Sequence, residues 1–300
     1  MDLLEQNSQI DEWEAEAGLS PAGGFHALHR SLSRHPLALV GLVMIVILLA
    51  AAVFAPVIAG YDPYHIVPEE RLAPPSSRHL FGTDDMGRDI FSRVVYGARL
   101  SLTAALVVLA IASSVGVLIG SIAGYWGGRV DEVLMRLTDM FLAFPAMILA
   151  MCIASALGPS LINAMIAISV VWWPWYARLI RGQILSLKNK EFVEAARALG
   201  ASNTRILWKY ILPNCTAPLI VQGTLDIGYA ILTTASLSFI GVGAVPPTPE
   251  WGSMISIGRS YILVQWWYPT FPGLAIFFAV AGFNLLGDGL RDIFDPRLNV

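Results

Sequence analysis

Apolar residues run along this chain in unbroken stretches of membrane length, separated by shorter polar segments. A helix that crosses a bilayer needs about 20 such residues. Pro36 to Tyr61 carries no charge, with GLVMIVILLAAAVFA at its centre, and predicts span one. Leu100 to Gly128 is also uncharged and predicts span two. Met140 to Ala177 is too long for one crossing, and Gly158-Pro159-Ser160 breaks it into spans three and four. Tyr210 to Pro249, with Asp226 as its one ionisable residue, supplies span five and something shorter. Tyr268 to Gly287 is span six. The pattern predicts an all-α polytopic membrane protein of six transmembrane helices.

Composition agrees. Of 300 residues 56% are hydrophobic and 14% charged, and the mean hydropathy is +0.63. A soluble domain carries about 25% charged residues. Too few charges remain to coat a water-facing surface, which excludes a secreted disulfide scaffold, a disordered protein and a soluble enzyme. The net charge of −3 gives no footprint for nucleic acid. Cys152 and Cys215 sit in or beside apolar runs and imply no disulfide framework. Residues 1–25 are acidic and polar without an apolar core, so no cleavable signal is expected there.

Lysine and arginine set the orientation. With the N-terminus cytoplasmic, the inner segments carry 13 basic residues and the outer ones 6. Both termini are therefore expected in the cytoplasm. The outer segment 62–99 bends the rule with five arginines, but it also holds Asp62, Glu69, Glu70, Asp84, Asp85 and Asp89 to pair with them.

The segment between spans four and five, RLIRGQILSLKNKEFVEAARALGASNTRILWKYILPN (178–214), does not read as a connector. It predicts two short helices. Asn189 can cap the first, and Phe192, Ala195, Ala196 and Leu199 then fall on one helical face. Glu194 has Lys190 and Arg197 within ion-pairing spacing on the other face. Gly200 ends the helix where a left-handed residue is wanted. Ser202 or Asn203 can cap the second helix, whose apolar stripe is Ile206, Leu207, Tyr210 and Ile211, closed by Pro213. By pattern alone two readings stand: a helix docking into a partner's groove, or an amphipathic helix lying on anionic lipid.

Glu194-Ala195-Ala196, three residues, Gly200, then Leu212-Pro213 resembles the cytoplasmic EAA signature of bacterial ABC importer permeases, with Tyr210 where isoleucine is usual. In that family this loop is the coupling helix that docks on the ATPase subunit, and the resemblance assigns coupling to Glu194, Ala195, Ala196, Gly200, Leu212 and Pro213. Three further segments resemble the peptide and nickel importer permeases: HLFGTDDMGRDIFSRVVYGARLSL (79–102), SLSFIGVGAVPPTPEWGSM (236–254) and FNLLGDGLRDIFDPRL (283–298). The chain looks like the C-type permease subunit of a dipeptide or oligopeptide importer. Nickel or glutathione-like solutes are the alternative, and a proton-coupled secondary carrier is a more distant one.

The resemblance implies a type I ABC importer permease core, spans two to six, plus one N-terminal helix. It implies a cytoplasmic tail at 1–35, an N-terminal transmembrane helix and external segment at 36–95, the core at 96–289 with its coupling loop at 178–213, and a cytoplasmic tail at 290–300. It also implies a bacterial inner-membrane location and a set of partners: a second homologous permease subunit, two ATP-binding subunits that hold ATP and Mg, and an extracytoplasmic solute-binding protein. No cofactor or metal is expected in this chain, and no covalent chemistry.

The residues themselves support several local readings. In 79–102, Gly82 and Gly87 flank an acidic turn of Asp84, Asp85, Arg88 and Asp89, ordered by local ion pairs and Asx-type turns. Ile90, Val94 and Gly97 suggest a helix lying in the interface, and the segment reads as a hinge into span two rather than a substrate contact. In 236–254, Pro246, Pro247 and Pro249 forbid a regular helix, giving a scoop-like outer loop with Trp251 as an interface anchor. Trp266-Trp267-Tyr268 and Trp172, Trp173 and Trp175 read as interface belts. Gly116, Gly120 and Gly124 recur every four residues and predict close helix packing. Asp226 faces either the translocation path, where it would attract a peptide's ammonium end, or another helix through a hydrogen bond. Gln222, Thr224, Thr233 and Thr234 share its span and can line the path as weak hydrogen bonders. No GxxxxGK[ST] is present, and no histidine lies in a span, so a membrane enzyme is left without a catalytic group.

Overall fold

A computed structural model describes residues 36–294. The expected tail 1–35, and the end of the expected tail 290–300, lie outside the described residues. Within them the protein is helical; the one β feature is an isolated antiparallel bridge between Thr83 and Asp89. The elements are α1 (Pro36–Val53), α2 (Ala55–Ile58), α3 (Ile90–Trp126), α4 (Gly128–Leu142), α5 (Ala146–Leu157), α6 (Leu161–Leu187), α7 (Glu191–Ala198), α8 (Asn203–Arg205), α9 (Thr216–Ile240), α10 (Trp251–Gly258) and α11 (Trp267–Phe294). A π-helical turn over Ile206–Ile211 and a 3-10 turn over Leu212–Cys215 join α8 to α9.

Among the described residues, four helical stretches are long and apolar enough to cross a membrane: Pro36–Val53, Ile90–Trp126, Asn203–Ile240 and Trp267–Phe294. The pair α4 and α5, bent by 85°, makes a fifth if it is one span. The expected six are therefore met at four to five. The 27 residues of α6 are long enough, but Trp172, Trp173, Pro174, Trp175 and Tyr176 dilute its hydropathy.

Several boundaries differ from expectation for local reasons. Span two begins at Ile90 rather than Leu100, because Asp89 caps it by accepting from Ser92 N at 2.7 Å. Ile90, Val94 and Gly97 are thus the opening turns of α3, not a separate interfacial helix. The break at Gly158 is present, with φ +93 and Asn163 Nδ2 donating to the carbonyls of Leu157 and Gly158 at 2.9 Å. A second break precedes Pro145, whose ring disfavours helical backbone at Phe144. The last helix runs on to Phe294, so residues 290–294 are helix rather than tail.

Small residues set the packing. α3 and α6 lie closest where a Cβ added at Gly120 would stand 2.3 Å from the carbonyl oxygen of Ala177, and one at Gly116 2.5 Å from that of Trp173. Gly124 faces Ile184 one turn further. The N-terminal helix α1 is pressed on α11 in the same way, Gly41 against Gly282 and Leu286, and Ala38 against Gly289.

At the end of the bundle that holds residues 62–89, polar groups form a buried knot. The Asp84 carboxylate accepts from Met86 N at 2.8 Å, Arg88 N at 3.0 Å and Arg88 Nε at 2.7 Å. Arg93, 1% exposed, donates to the carbonyls of Pro63 at 2.8 Å and Pro247 at 3.2 Å. His79 lies between Asp89 and Glu70 at 2.9 and 3.0 Å. Gly87, at φ +77, has no room for a Cβ against Val67.

Most of the expected aromatic belts are core instead. Trp267 and Tyr268 are buried, and the Tyr268 hydroxyl donates to Asp85 at 2.8 Å. Trp251 is 1% exposed, packs over Gly97 and donates to the Val94 carbonyl at 2.9 Å. Trp172 and Trp173 are buried, while Trp175 and Trp266 stay exposed. The segment 241–250 is non-helical and ends at Glu250, which caps α10 by accepting from Gly252 N and Ser253 N at 3.0 and 2.8 Å. Burial pushes the Glu250 carboxyl up from its ordinary value.

Candidate functional site

Two features at the other, basic end of the bundle hold the residues singled out from sequence. The first is the segment between α6 and α9. It folds on a second apolar core made of Ile180 and Ile184 from α6, Val193 and Ala196 from α7, and Ile206, Leu207, Ile211 and Cys215 beyond it. The stripe expected on the second helix is therefore buried, with Tyr210 partly so. The stripe expected on the first is not. Val193 and Ala196 face inward, and Phe192, Ala195 and Leu199 are turned out, Leu199 to 89% exposure.

The ends of these short helices follow from local chemistry. Gly200 takes φ +80. Its N–H donates to the Arg197 carbonyl at 3.0 Å and the Ala201 N–H to the Ala196 carbonyl at 3.1 Å, a Schellman ending. A Cβ at Gly200 would meet nothing within 4 Å, so the glycine is required here for its backbone angle. Ser202 caps α8, accepting from Arg205 N at 3.4 Å. Asn189 does not cap α7: Lys190 occupies the capping position and no side chain bonds there. Glu194 makes none of its expected ion pairs with Lys190 or Arg197 among the described residues, and it faces outward. Leu212 is partly buried on the second core and Pro213 is exposed.

The segment is anchored to the bundle. Tyr125, at the end of α3, donates to Asn203 at 2.9 Å, and Lys188 reaches the Gly124 carbonyl at 3.3 Å. Arg181 grips Asp131 of α4 with two bonds of 2.6 and 2.7 Å, and Arg178 pairs with Asp139 at 2.6 Å. Sequence reading missed these pairs. Their signal was present: aspartates eight apart on α4 facing arginines three apart on α6.

The second feature is a cavity of about 610 Å³ between α6 and α9. Trp172, Tyr176 and Arg178 line it from α6, and Gln222, Asp226 and Tyr229 from α9. Asp226 combines both readings left open for it: it faces the cavity, and it accepts from the Tyr176 hydroxyl of the neighbouring helix. Gln222 Nε2 donates to its other oxygen at 2.9 Å. Trp172 and Tyr229 stack with ring centroids 5.2 Å apart. Thr233 is buried, donates to the Tyr229 carbonyl at 2.8 Å and does not line the cavity. Thr224 bonds back to Ile220 in the same way. No cluster of three or more metal-ligating side chains occurs among the described residues.

Residues 116–300 match the family described as "Binding-protein-dependent transport system inner membrane component", and residues 26–75 match "N-terminal TM domain of oligopeptide transport permease C". The chain is 50% identical over 266 residues to the probable D,D-dipeptide transport system permease protein DdpC of Escherichia coli strain K12, covering 89% of each chain. It is 47% identical over 269 residues to the dipeptide transport system permease protein DppC of Alkalihalophilus pseudofirmus, covering 90% of this chain and 88% of that one. A solved structure of the MetNI methionine ABC transporter, inward facing, shares the fold with a TM-score of 0.55 at 19% identity, over 68% of this chain and 97% of that chain.

Proposed function

The chain belongs to the binding-protein-dependent transport system inner membrane components, and on that premise we propose that it is the permease subunit of an ATP-driven importer of dipeptides or other short peptides. It is a multi-pass membrane subunit without catalysis of its own. In this reading α6 is the sixth span, both termini are cytoplasmic, and the basic end of the bundle faces the cytoplasm. The tail at 1–35, the N-terminal helix with its external segment and the core with its coupling segment keep the roles assigned to them above, with the core starting at Ile90 and its last helix running on to Phe294.

A second homologous permease subunit completes the pore, two ATP-binding subunits hold ATP and Mg on the cytoplasmic side, and an extracytoplasmic solute-binding protein delivers the peptide. The mechanism is alternating access. The ATP-binding pair closes on ATP, pushes the segment 178–213, and that push enters α6 and α9 directly because the segment joins them. Glu194 and Ala195 form the contact, Ala196 seats α7 on the second core, Gly200 ends α7, and Leu212 and Pro213 fix the exit into α9. Asp226 and Gln222 line the peptide's path through the cavity.

The observation that carries this is the outward turn of Phe192, Ala195 and Leu199. An apolar face left uncovered beside a completed core asks for a partner, and a helix in a groove is the way such a face is buried. The occupant is the ATP-binding subunit. The test is cross-linking from Ala195→Cys in cells that express the whole system. Adducts with the ATP-binding subunit are expected; adducts with phospholipid alone would remove the reading. Deletion of this subunit should also abolish dipeptide uptake, and unchanged uptake would contradict the peptide assignment.

A further inference from the structure

α6 and α9 are the two helices joined by the coupling segment, and inside the bundle the Tyr176 hydroxyl on Asp226 is a direct polar cross-link between them. A carboxylate offers about four lone-pair sites. Tyr176 and Gln222 use part of that capacity, and the rest is open to the cavity. Arg178 also lines the cavity, but Asp139 holds it at 2.6 Å, so Asp226 is the acidic group of the lining that no cation holds. Beside it, the stacked rings of Trp172 and Tyr229 offer aromatic surface. One carboxylate next to aromatic rings suits an ammonium group, which gains from both, and a bare carboxylate at this depth is costly.

We infer that the cavity is a transit site for the free ammonium end of a short peptide, and that the arriving ammonium takes over the Asp226 oxygen bonded by Tyr176, so that occupancy unfastens α6 from α9. The coupling segment hangs from both helices, so it is freed to move when cargo is present. This rests on the import reading and adds to it the chemical group that the permease itself senses.

The test uses the purified permease–ATPase complex without its binding protein, in equilibrium dialysis against radiolabelled glycyl-leucine and N-acetyl-glycyl-leucine. The wild-type complex should retain the free-amino peptide and hold the acetylated one about tenfold less tightly, as loss of a charged hydrogen bond implies. Asp226→Asn should erase that preference. Tyr176→Phe, which removes the competing donor, should tighten retention of glycyl-leucine several-fold and raise peptide-free ATP hydrolysis. Equal retention of the two peptides by the wild type, or no retention of either, overturns the inference. So does an unchanged affinity in Tyr176→Phe. Failure of the import reading would be seen separately, as a wild-type complex whose ATP hydrolysis does not respond to the loaded binding protein.

Discussion

Gly200 offers two physical reasons for being glycine, and they predict opposite orders of substitution. Either the position needs a left-handed backbone, or a docked partner needs the space. The structure gives φ +80 and no atom within 4 Å of an added Cβ. In the left-handed region an ordinary residue costs about 1–2 kcal/mol, and asparagine or aspartate visits it more cheaply. If the backbone angle is the requirement, Gly200→Ala lowers the ratio of correctly ended to frayed α7 by about 5- to 30-fold, and Gly200→Asn by much less. If close approach is the requirement, alanine, the smaller side chain, is the better tolerated. The assay is dipeptide uptake by the reconstituted complex, normalised to assembled complex, with ATP hydrolysis read in parallel. Asparagine transporting better than alanine is expected. Alanine transporting better than asparagine would refute the conformational argument and move Gly200 into the contact itself. Gly200→Asp then isolates charge: if asparagine transports and aspartate does not, the position is covered by a partner when the complex works.

Leu199→Ala should weaken docking of the ATP-binding subunit. Burying an exposed leucine is worth about 1.5–3 kcal/mol, or about tenfold to a hundredfold in affinity, measurable by co-purification at graded concentration; an unchanged yield would mean that Leu199 contacts lipid. Gly120→Ala puts a methyl against main chain at Ala177 and should cost about 1–3 kcal/mol, seen as a lower unfolding temperature in detergent, with Gly124→Ala milder because its nearest neighbours stand at 3.1 Å rather than 2.3 Å. For Glu250, whose folded carboxyl titrates above the ordinary 4.5, the unfolded chain ionises first as pH rises. Its contribution to stability is whole below that value and declines as pH climbs through the raised one. The stability advantage of Glu250→Gln should therefore grow with pH, and a constant difference would show that burial does not govern this carboxyl.

What could be read in advance depended on whether the deciding contacts are local. The break at Gly158, the ending at Gly200 and the cap at Ser202 are set within a few residues, and each stands where the pattern puts it. The close approach of α3 and α6 was legible because glycines at a spacing of four leave a groove whatever fills it. The rotation of α7 was not. Periodicity says that Phe192, Ala195, Ala196 and Leu199 share a face, yet it cannot say whether that face meets this chain or another, and the single Val193 decides it. Aromatic positions failed for a related reason. Tryptophan suits a wet interface and a dry core with a bonded N–H equally, and Trp251 finds its acceptor, Val94, far along the chain. The cavity needed two helices brought side by side, so Asp226 was found as an isolated carboxylate while Tyr176 passed unnoticed.

Where Gly116 and Gly120 meet Trp173 and Ala177, the touching atoms belong largely to the main chain. Interfaces built from long side chains can creep, each rotamer yielding a little; one built on carbonyls has nothing to yield. Over this stretch α3 and α6 thus behave as a single spar. Its α3 member runs from the Asp89 cap at one rim of the bundle to Gly127 at the other, so a tilt imposed at one tip moves the other.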